Sequence, residues 1–331
     1  MRKLKKITVG IVGCGVVAES HAKAYLDCKS ASLAWVYDLD PLRAARLAAQ
    51  TGARVAPSVK DLAANVDAAS VCTPPSSHFE VSKTLLQTGV AILCEKPLES
   101  TVASSRKLAA LAERSSVPFM VGFTHRFHPP VVQALRILQS GRLGQSRFFR
   151  NAFGGRVSLA GGFRVEPRHA GGGCLSDTSS HSADLFRLFM GEVVSVSALT
   201  TSVDTKLPVE DLGCMLLQGT KGRMGTVMAT TALPAIANVL EIICDKGTLR
   251  VAYYVPGQPD LSIQTHGDKA PAAVAVPKNL PFKFIGQARY FLDCVRAGQT
   301  PTPGAADGLA SAIIIHAAHQ AAEKTRTVLL G

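Results

Sequence analysis

Ile7-Thr8-Val9-Gly10-Ile11-Val12-Gly13-Cys14-Gly15-Val16-Val17-Ala18 decides the fold of this chain. Its first six residues are a short apolar run, the pattern of a buried strand in a parallel sheet. The next six spell GxGxxA, and a helix-like run from 19 to 28 follows. Placed between a strand and a helix, these glycines permit a tight turn and close approach of backbone to a pyrophosphate. The helix N-terminus adds unpaired N–H groups and the positive end of a dipole. Gly13, Cys14, Gly15, Val16 and Val17 are therefore candidate phosphate-binding residues. Alone, GxGxxA is weak evidence. The next strand, Leu33-Ala34-Trp35-Val36-Tyr37, ends in Asp38. An acid about 20 residues past the glycines can accept hydrogen bonds from an adenosine ribose 2′-OH and repels a 2′-phosphate. Asp38 thus points to NAD as cofactor, while the nearby Arg43 leaves NADP open. Asp38 also stands where an acid can begin a helix at Pro41.

The alternation continues. Helices are expected at 44–51, 59–64 and 78–88, and strands at 68–72, 89–94 and 117–123. These β units separated by helices predict a doubly wound parallel sheet in an α/β domain of residues 1–126. Thr73-Pro74-Pro75 leaves the third of the named strands, its two prolines stiffening the exit. That turn suits a wall beside the nicotinamide, with His78 opening the next helix either toward a ligand or toward solvent. The strand 89–94 runs into Glu95-Lys96-Pro97. In an open α/β sheet the ligand crevice lies outside the carboxyl ends of the strands, so Lys96 is aimed at it. The alternative is an exposed loop lysine beside a loop glutamate. The last strand ends at Thr124-His125-Arg126-Phe127.

After Phe127 the pattern changes. Alternating runs at 147–153, 195–203, 212–218, 224–231, 239–244 and 248–253 lack long intervening helices. They predict a second α/β domain, 127–331, with a large open and mainly antiparallel sheet. Helices are expected at 129–140, 284–296 and 305–324. Gly171-Gly172-Gly173 lets backbone bend or pack tightly, and Ser176 or Asp177 can cap the helix that follows. Asp177, His181 and Asp184 are four and three apart and share a helix face. Two ligands are too few for a metal site, and no third histidine or cysteine has helpful spacing, so no metal is expected.

Composition narrows the class. The chain has 331 residues, 47% hydrophobic and 18% charged, which excludes disorder. Its net charge of +12 comes from basic residues that are scattered, apart from Arg2-Lys3-Leu4-Lys5-Lys6. Without a basic stripe or zinc-finger spacing, attraction of an anionic small ligand is expected rather than nucleic-acid binding. Eight cysteines with no CxxC pair fit a reducing compartment. No long apolar stretch predicts a membrane span. The basic start and Ile11-Val12-Gly13-Cys14 imitate an export signal, but cleavage there would delete the first strand, so a cytoplasmic location is expected.

Together, Gly13-Cys14-Gly15, Asp38, Thr73-Pro74-Pro75, Glu95-Lys96-Pro97, Arg126-Phe127 and Gly171-Gly172-Gly173 with Asp177 and His181 resemble the Gfo/Idh/MocA oxidoreductases. The resemblance extends to Lys246-Gly247-Thr248-Leu249 and Asp307-Gly308, and covers nearly the whole chain. It implies a Rossmann domain, a second domain whose open sheet forms dimers or tetramers, and a sugar, inositol or polyol substrate. It implies that Lys96 is catalytic, that Lys96–Pro97 is cis, and that Asp177 and His181 serve the sugar site. On this resemblance a secondary hydroxyl is interconverted with a ketone by hydride transfer to NAD or NADP. The proton acceptor needs a pKa near the working pH. Lysine starts at about 10.4 and histidine at about 6.5, so Lys96 and His181 both stand as bases, with Asp177 orienting the histidine or a hydroxyl. The expected cofactor shell includes Thr73, Pro74, Pro75, His78, Glu95, Lys96 and Arg126. His125, Arg126, Arg164, Arg168 and His169 are candidate substrate residues. The segment 163–169 lacks the tryptophan many relatives carry there. Two other readings are an NAD-dependent glycosidase acting through transient oxidation, and a nucleotide-sensing binding protein without catalysis.

Overall fold

The computed structural model describes residues 6–157, 162–204, 206–234, 238–253 and 255–330. Most of the basic cluster at 2–6 lies outside them. The chain divides into two compact units, 1–124 with 282–310, and 125–281 with 311–331.

In the first unit, strands and helices alternate: β1 (Ile7–Val12), α1 (Val16–Asp27), β2 (Ala31–Tyr37), α2 (Pro41–Thr51), β3 (Arg54–Val55), α3 (Val59–Ala63), β4 (Ala68–Val71), α4 (His78–Gln87), β5 (Ala91–Cys94), α5 (Val102–Glu113) and β6 (Phe119–Val121). The six strands form one sheet in the order β3-β2-β1-β4-β5-β6, and every pair is parallel. This is the doubly wound topology, with its reversal of strand order beside β1. β4 and β5 are buried at every residue, which explains why they read as continuous apolar runs. β3 has only two residues, both exposed, and carries no such signal. Helix starts follow local chemistry: Asp40 accepts from the Leu42 N–H at 2.9 Å, Ser58 from Asp61 at 3.1 Å, and Thr101 from Ser104 at 3.1 Å.

The second unit holds α6 (Pro129–Gln139), β7 (Ser146–Gly154), α7 (Pro167–Ala170), α8 (Cys174–Asp177), α9 (Ser179–Met190), β8 (Val193–Thr201), β9 (Leu212–Gly219), β10 (Met224–Thr230), β11 (Val239–Cys244), β12 (Gly247–Ala252), β13 (Leu261–Thr265) and β14 (Ala272–Ala273). The chain then returns to the first unit as α10 (Lys283–Ala297) before α11 (Ala305–Lys324) and β15 (Val328–Leu329). That return is the main difference from a division at 126/127. Nothing local marks it, because helix membership is decided by which sheet supplies the apolar partner.

The nine strands of the second sheet run β14-β13-β12-β11-β7-β10-β9-β8-β15. Their pairs are antiparallel except β10 with β7, which makes the sheet mixed, as a mainly antiparallel reading allows. One face carries a core built on Phe149, Leu175, Phe186, Leu217, Leu240 and Leu249, all fully buried. The other is open. β9 alternates buried and exposed residues, and Leu199, Cys214, Leu216, Met224 and Ile243 stand out from the open side.

Candidate active site

Four neighbouring strand ends build the site of the first unit. In the order β2-β1-β4-β5 the residues just beyond them are Asp38, Gly13, the turn at Thr73, and Glu95-Lys96. All four lie at carboxyl ends, so they face one crevice, spaced by about 4.8 Å per strand.

The glycine loop fits a dinucleotide. Gly13 has φ +88°, and a Cβ there would come within 2.7 Å of the Cys72 and Thr73 backbone. Only glycine lets β1 pass this close to the exit of β4. At Gly15 a Cβ would meet nothing within 4 Å. Gly15 precedes α1, and α1 has no side-chain cap, unlike α2, α3 and α5. Its first N–H groups thus keep their donor capacity for an anion. Asp38 accepts from the Cys14 N–H at 2.6 Å and from the Asp40 N–H at 2.8 Å. These bonds fix the carboxylate beside the glycine loop and leave lone pairs over for hydroxyls. Helix α2 is capped by Asp40 rather than Asp38. Arg43 is turned to Asp40, 3.2 Å away. Burial first, then the Asp38 charge, pushes the Cys14 thiol up to about 12, so it is no nucleophile.

Two expected cofactor contacts have other work. His78 is fully buried. Its ring nitrogens lie 3.1 Å from the Leu98 carbonyl and 2.9 Å from the Thr73 carbonyl. It clamps the turn at Thr73 and does not face solvent. Glu95 is buried as well: its Oε1 lies 2.8 Å from His21 Nε2, and its Oε2 accepts the Lys96 N–H at 3.2 Å. It supports the loop from below. Lys96 is half-buried and its bond to Pro97 is cis.

Lys283, at the start of α10, was not singled out in the sequence. Burial, then the Lys96 charge, lowers its amine below the ordinary lysine value, with Glu95 opposing. It lies nearly two hundred residues beyond Lys96, and only the return of the chain brings it there. His21, Ser70 and Tyr25 were also unread. A lone polar residue on an apolar helix or strand gives no signal until its partner is known.

In the second unit the Asp177–His181 region is built from two helices. Asp177 ends α8, while His181 and Asp184 lie on α9. Neither Ser176 nor Asp177 caps a helix. The Glu210 carboxylate takes that role, accepting from Gly173 at 2.9 Å and from Leu175 at 3.1 Å, a task open to a residue remote in sequence. The third glycine of the run is required by the same residue's backbone: a Cβ on Gly173 would stand 1.8 Å from the Glu210 carbonyl oxygen. The His181 ring stacks on His125, centroids 4.3 Å apart and 9° from parallel. His125 in turn meets Phe153 edge-on at 4.6 Å. The structure therefore brings His125 and His181 together.

Arg126 points elsewhere than expected. Its Nε and Nη2 donate to both Asp184 oxygens, at 2.8 and 2.6 Å. The pair is nearly buried, with side chains 12% and 1% exposed. Arg126 holds α9 and is not set out as an open ligand arm. Asp184 is therefore a partner of Arg126 rather than a member of a polar Asp177–His181 face. Arg164 lies 3.3 Å from Asp177. Arg168 and His169 are exposed on α7. No group of three or more His, Cys, Asp or Glu suited to a metal occurs among the described residues. No helix among them is long and apolar enough to cross a membrane.

Comparison with known proteins identifies the family. Residues 7–123 match the oxidoreductase family with an NAD-binding Rossmann fold, and residues 131–250 match the GFO/IDH/MocA C-terminal domain. The chain belongs to the GFO/IDH/MocA oxidoreductases. It is 27% identical to a D-apiose dehydrogenase of Paraburkholderia graminis, over 99% of this chain and 90% of the relative. It is 24% identical to an inositol 2-dehydrogenase of Rhizobium meliloti, over 97% of this chain and 98% of the relative. A levoglucosan dehydrogenase solved with NADH shares the fold at a TM-score of 0.90 with 21% identity, covering 99% of this chain and all of that one. As a GFO/IDH/MocA member the chain carries an NAD-binding Rossmann unit.

Proposed function

We propose that this oxidoreductase interconverts a secondary hydroxyl and a ketone on a sugar, inositol or related polyol. The observation that carries the reading is the row of strand ends. Asp38 suits an adenosine ribose, the Gly13–Gly15 loop a pyrophosphate, Thr73-Pro74-Pro75 a nicotinamide wall, and Lys96 the next position along. The names of the relatives support the substrate class. NAD supplies the hydride acceptor when bound, and Asp38 favours it over NADP. Lys96 Nζ takes the proton of the reacting hydroxyl and returns it in the reverse direction. For the second unit we assign His181 the role of alternative base, and Asp177 that of orienting it or a substrate hydroxyl. His125 supports the His181 ring. Arg164 holds Asp177 through Nε and has further N–H donors for a substrate.

Lys96→Met is the decisive variant. It should keep NADH binding, read by nucleotide fluorescence, while turnover falls by about 10³-fold, the usual scale for losing a positioned acid–base group. Near-full activity in Lys96→Met would remove the mechanism. A screen of polyols, aldoses, anhydrosugars and amino sugars with NAD⁺ and NADP⁺, followed by NADH or NADPH absorbance, identifies the substrate.

We further propose that the protein is cytoplasmic and that copies pair through the open face of the nine-stranded sheet. That face carries a cavity of about 670 Å³, lined in part by Leu199, Cys214, Leu216 and Met228. Exposed apolar area of this kind marks an association surface. Light scattering of Leu216→Glu should show a smaller species than wild type.

A further inference from the structure

We propose that His21 is a positioning residue for Lys96, acting through Glu95, with Ser70 and Tyr25 fixing its tautomer. The proposal rests on the reading of Lys96 as the proton acceptor.

The four side chains form one buried chain within the first unit. Tyr25 is 1% exposed, Ser70 0%, His21 2% and Glu95 7%. The Tyr25 hydroxyl lies 2.7 Å from Ser70 Oγ. Ser70 Oγ lies 2.9 Å from His21 Nδ1. His21 Nε2 lies 2.8 Å from Glu95 Oε1, and Glu95 Oε2 accepts the backbone N–H of Lys96.

One set of donor directions satisfies the whole chain. Burial pushes the Tyr25 hydroxyl well above its ordinary pKa, so it keeps its proton, and in this set it donates to Ser70. Ser70 then donates to Nδ1. Nδ1 is an acceptor, so the proton of a neutral imidazole is on Nε2, aimed at Glu95. Glu95 accepts from His21 on one oxygen and from the Lys96 N–H on the other.

A buried histidine is normally hydrogen-bonded, so what sets His21 apart is where its two bonds lead. Here both are used, on residues from two different strand regions. The rest of the surroundings confine the acid and the ring. A Cβ on Gly122 would stand 2.7 Å from Glu95 Oε1, and the Phe284 ring meets His21 edge-on at 5.6 Å. His21 also lies on α1, whose N-terminus follows Gly15. The helix at the phosphate loop therefore carries the residue that orients the Lys96 loop.

The test uses His21→Leu, His21→Gln and Ser70→Ala in the full chain. Acetylation of Lys96 by acetic anhydride, relative to the exposed Lys107, is read by mass spectrometry. NADH fluorescence reads nucleotide binding. Turnover is read with the sugar or polyol that the screen returns. Losing a hydrogen bond to a charged group is worth about tenfold or more. His21→Leu should change relative Lys96 acetylation by that order and lower kcat about tenfold, with KM and the NADH dissociation constant little moved. His21→Gln keeps an N–H donor and should restore both toward wild type. Ser70→Ala, a milder change, should shift both in the same direction by less. Unchanged acetylation and kcat in His21→Leu, or a His21→Gln that behaves like His21→Leu, overturns the proposal. If Lys96→Met stays active, the mechanism falls instead, while the acetylation readout still reports the His21 link.

Discussion

Glu95 and Asp184 are both buried acids close to proposed site residues, yet they are held in opposite ways. Glu95 is held by the His21 ring on one oxygen and a backbone N–H on the other. Asp184 is gripped by the Arg126 guanidinium through both oxygens. The first unit hangs its site residues from strand ends, where backbone and a helix face supply most of the support. The second presents its residues from helices and loops, where side-chain ion pairs do the fixing. A buried ion pair is costly to break from one side, because the remaining charge has lost its partner.

This difference predicts unequal losses. Asp184→Ala should destabilise the protein by about 3–5 kcal/mol, the range for leaving one charge of a buried pair uncompensated. Urea unfolding measures it. Glu95→Gln keeps an acceptor for Lys96 and should cost about 1–2 kcal/mol. Equal losses would break the contrast. Replacing both partners, Arg126→Met with Asp184→Leu, should recover most of the Asp184→Ala loss, since apolar pairs of similar volume replace buried ion pairs well.

The glycines give a second contrast. Gly173 in the second unit is required by packing, because a Cβ would overlap the Glu210 carbonyl. Gly15 in the first has open space around its missing Cβ. Gly173→Ala should therefore cost about 3 kcal/mol or more in stability, on the scale of severe steric substitutions. Gly15→Ala should leave stability nearly unchanged and weaken NADH binding about tenfold, because the new methyl faces the approach of the pyrophosphate. Thermal unfolding and nucleotide titration separate the two. Strong destabilisation by Gly15→Ala would make that glycine structural too.

These cases show what was legible in sequence. The parallel sheet was, because β1, β4 and β5 are buried on both faces and read as apolar runs with a site residue at each end. The second sheet was readable through its alternation, as in β9, but β13, β14 and β15 were not read. β14 and β15 have two residues each and too few positions to show a period. The site was legible where chemistry follows a strand, as at Asp38 and Lys96. It was not where partners come from afar. Glu210 caps a distant helix, Asp184 takes Arg126, and α10 returns Lys283 to the first unit. Sequence periodicity reports which face of an element is buried and says nothing about which distant polar group meets it.

The cofactor preference tests how far the strand-end logic extends. Asp38 is fixed by two backbone N–H groups, so its carboxylate has one orientation. Asp38→Ala should lower the NAD:NADP preference about tenfold, the value of a hydrogen bond to a charged group together with lost repulsion of a 2′-phosphate. Steady-state kinetics with both nucleotides reads the ratio, and an unchanged ratio would reduce Asp38 to a loop brace.

The smallest effect concerns Lys283, a site-adjacent cation of the first unit whose amine is driven below its ordinary value, mainly by burial. Its folded pKa is below the unfolded one, so between the two the unfolded chain binds more protons and stability rises with pH. Below the lowered pKa the cost of the buried charge is present in full, and above the ordinary value of 10.5 it is gone. Lys283→Met should therefore be more stable than wild type near neutrality, with the gain shrinking as pH climbs toward the ordinary lysine value. Urea midpoints for both proteins across neutral to alkaline pH measure it. A gain that stays constant with pH would mean that the methionine packs better and that the charge was never the cost. A shrinking gain joined to slower turnover would show that the first unit keeps a strained cation beside Lys96 because the chemistry uses it, whereas Arg126 in the second unit keeps its charge for structure.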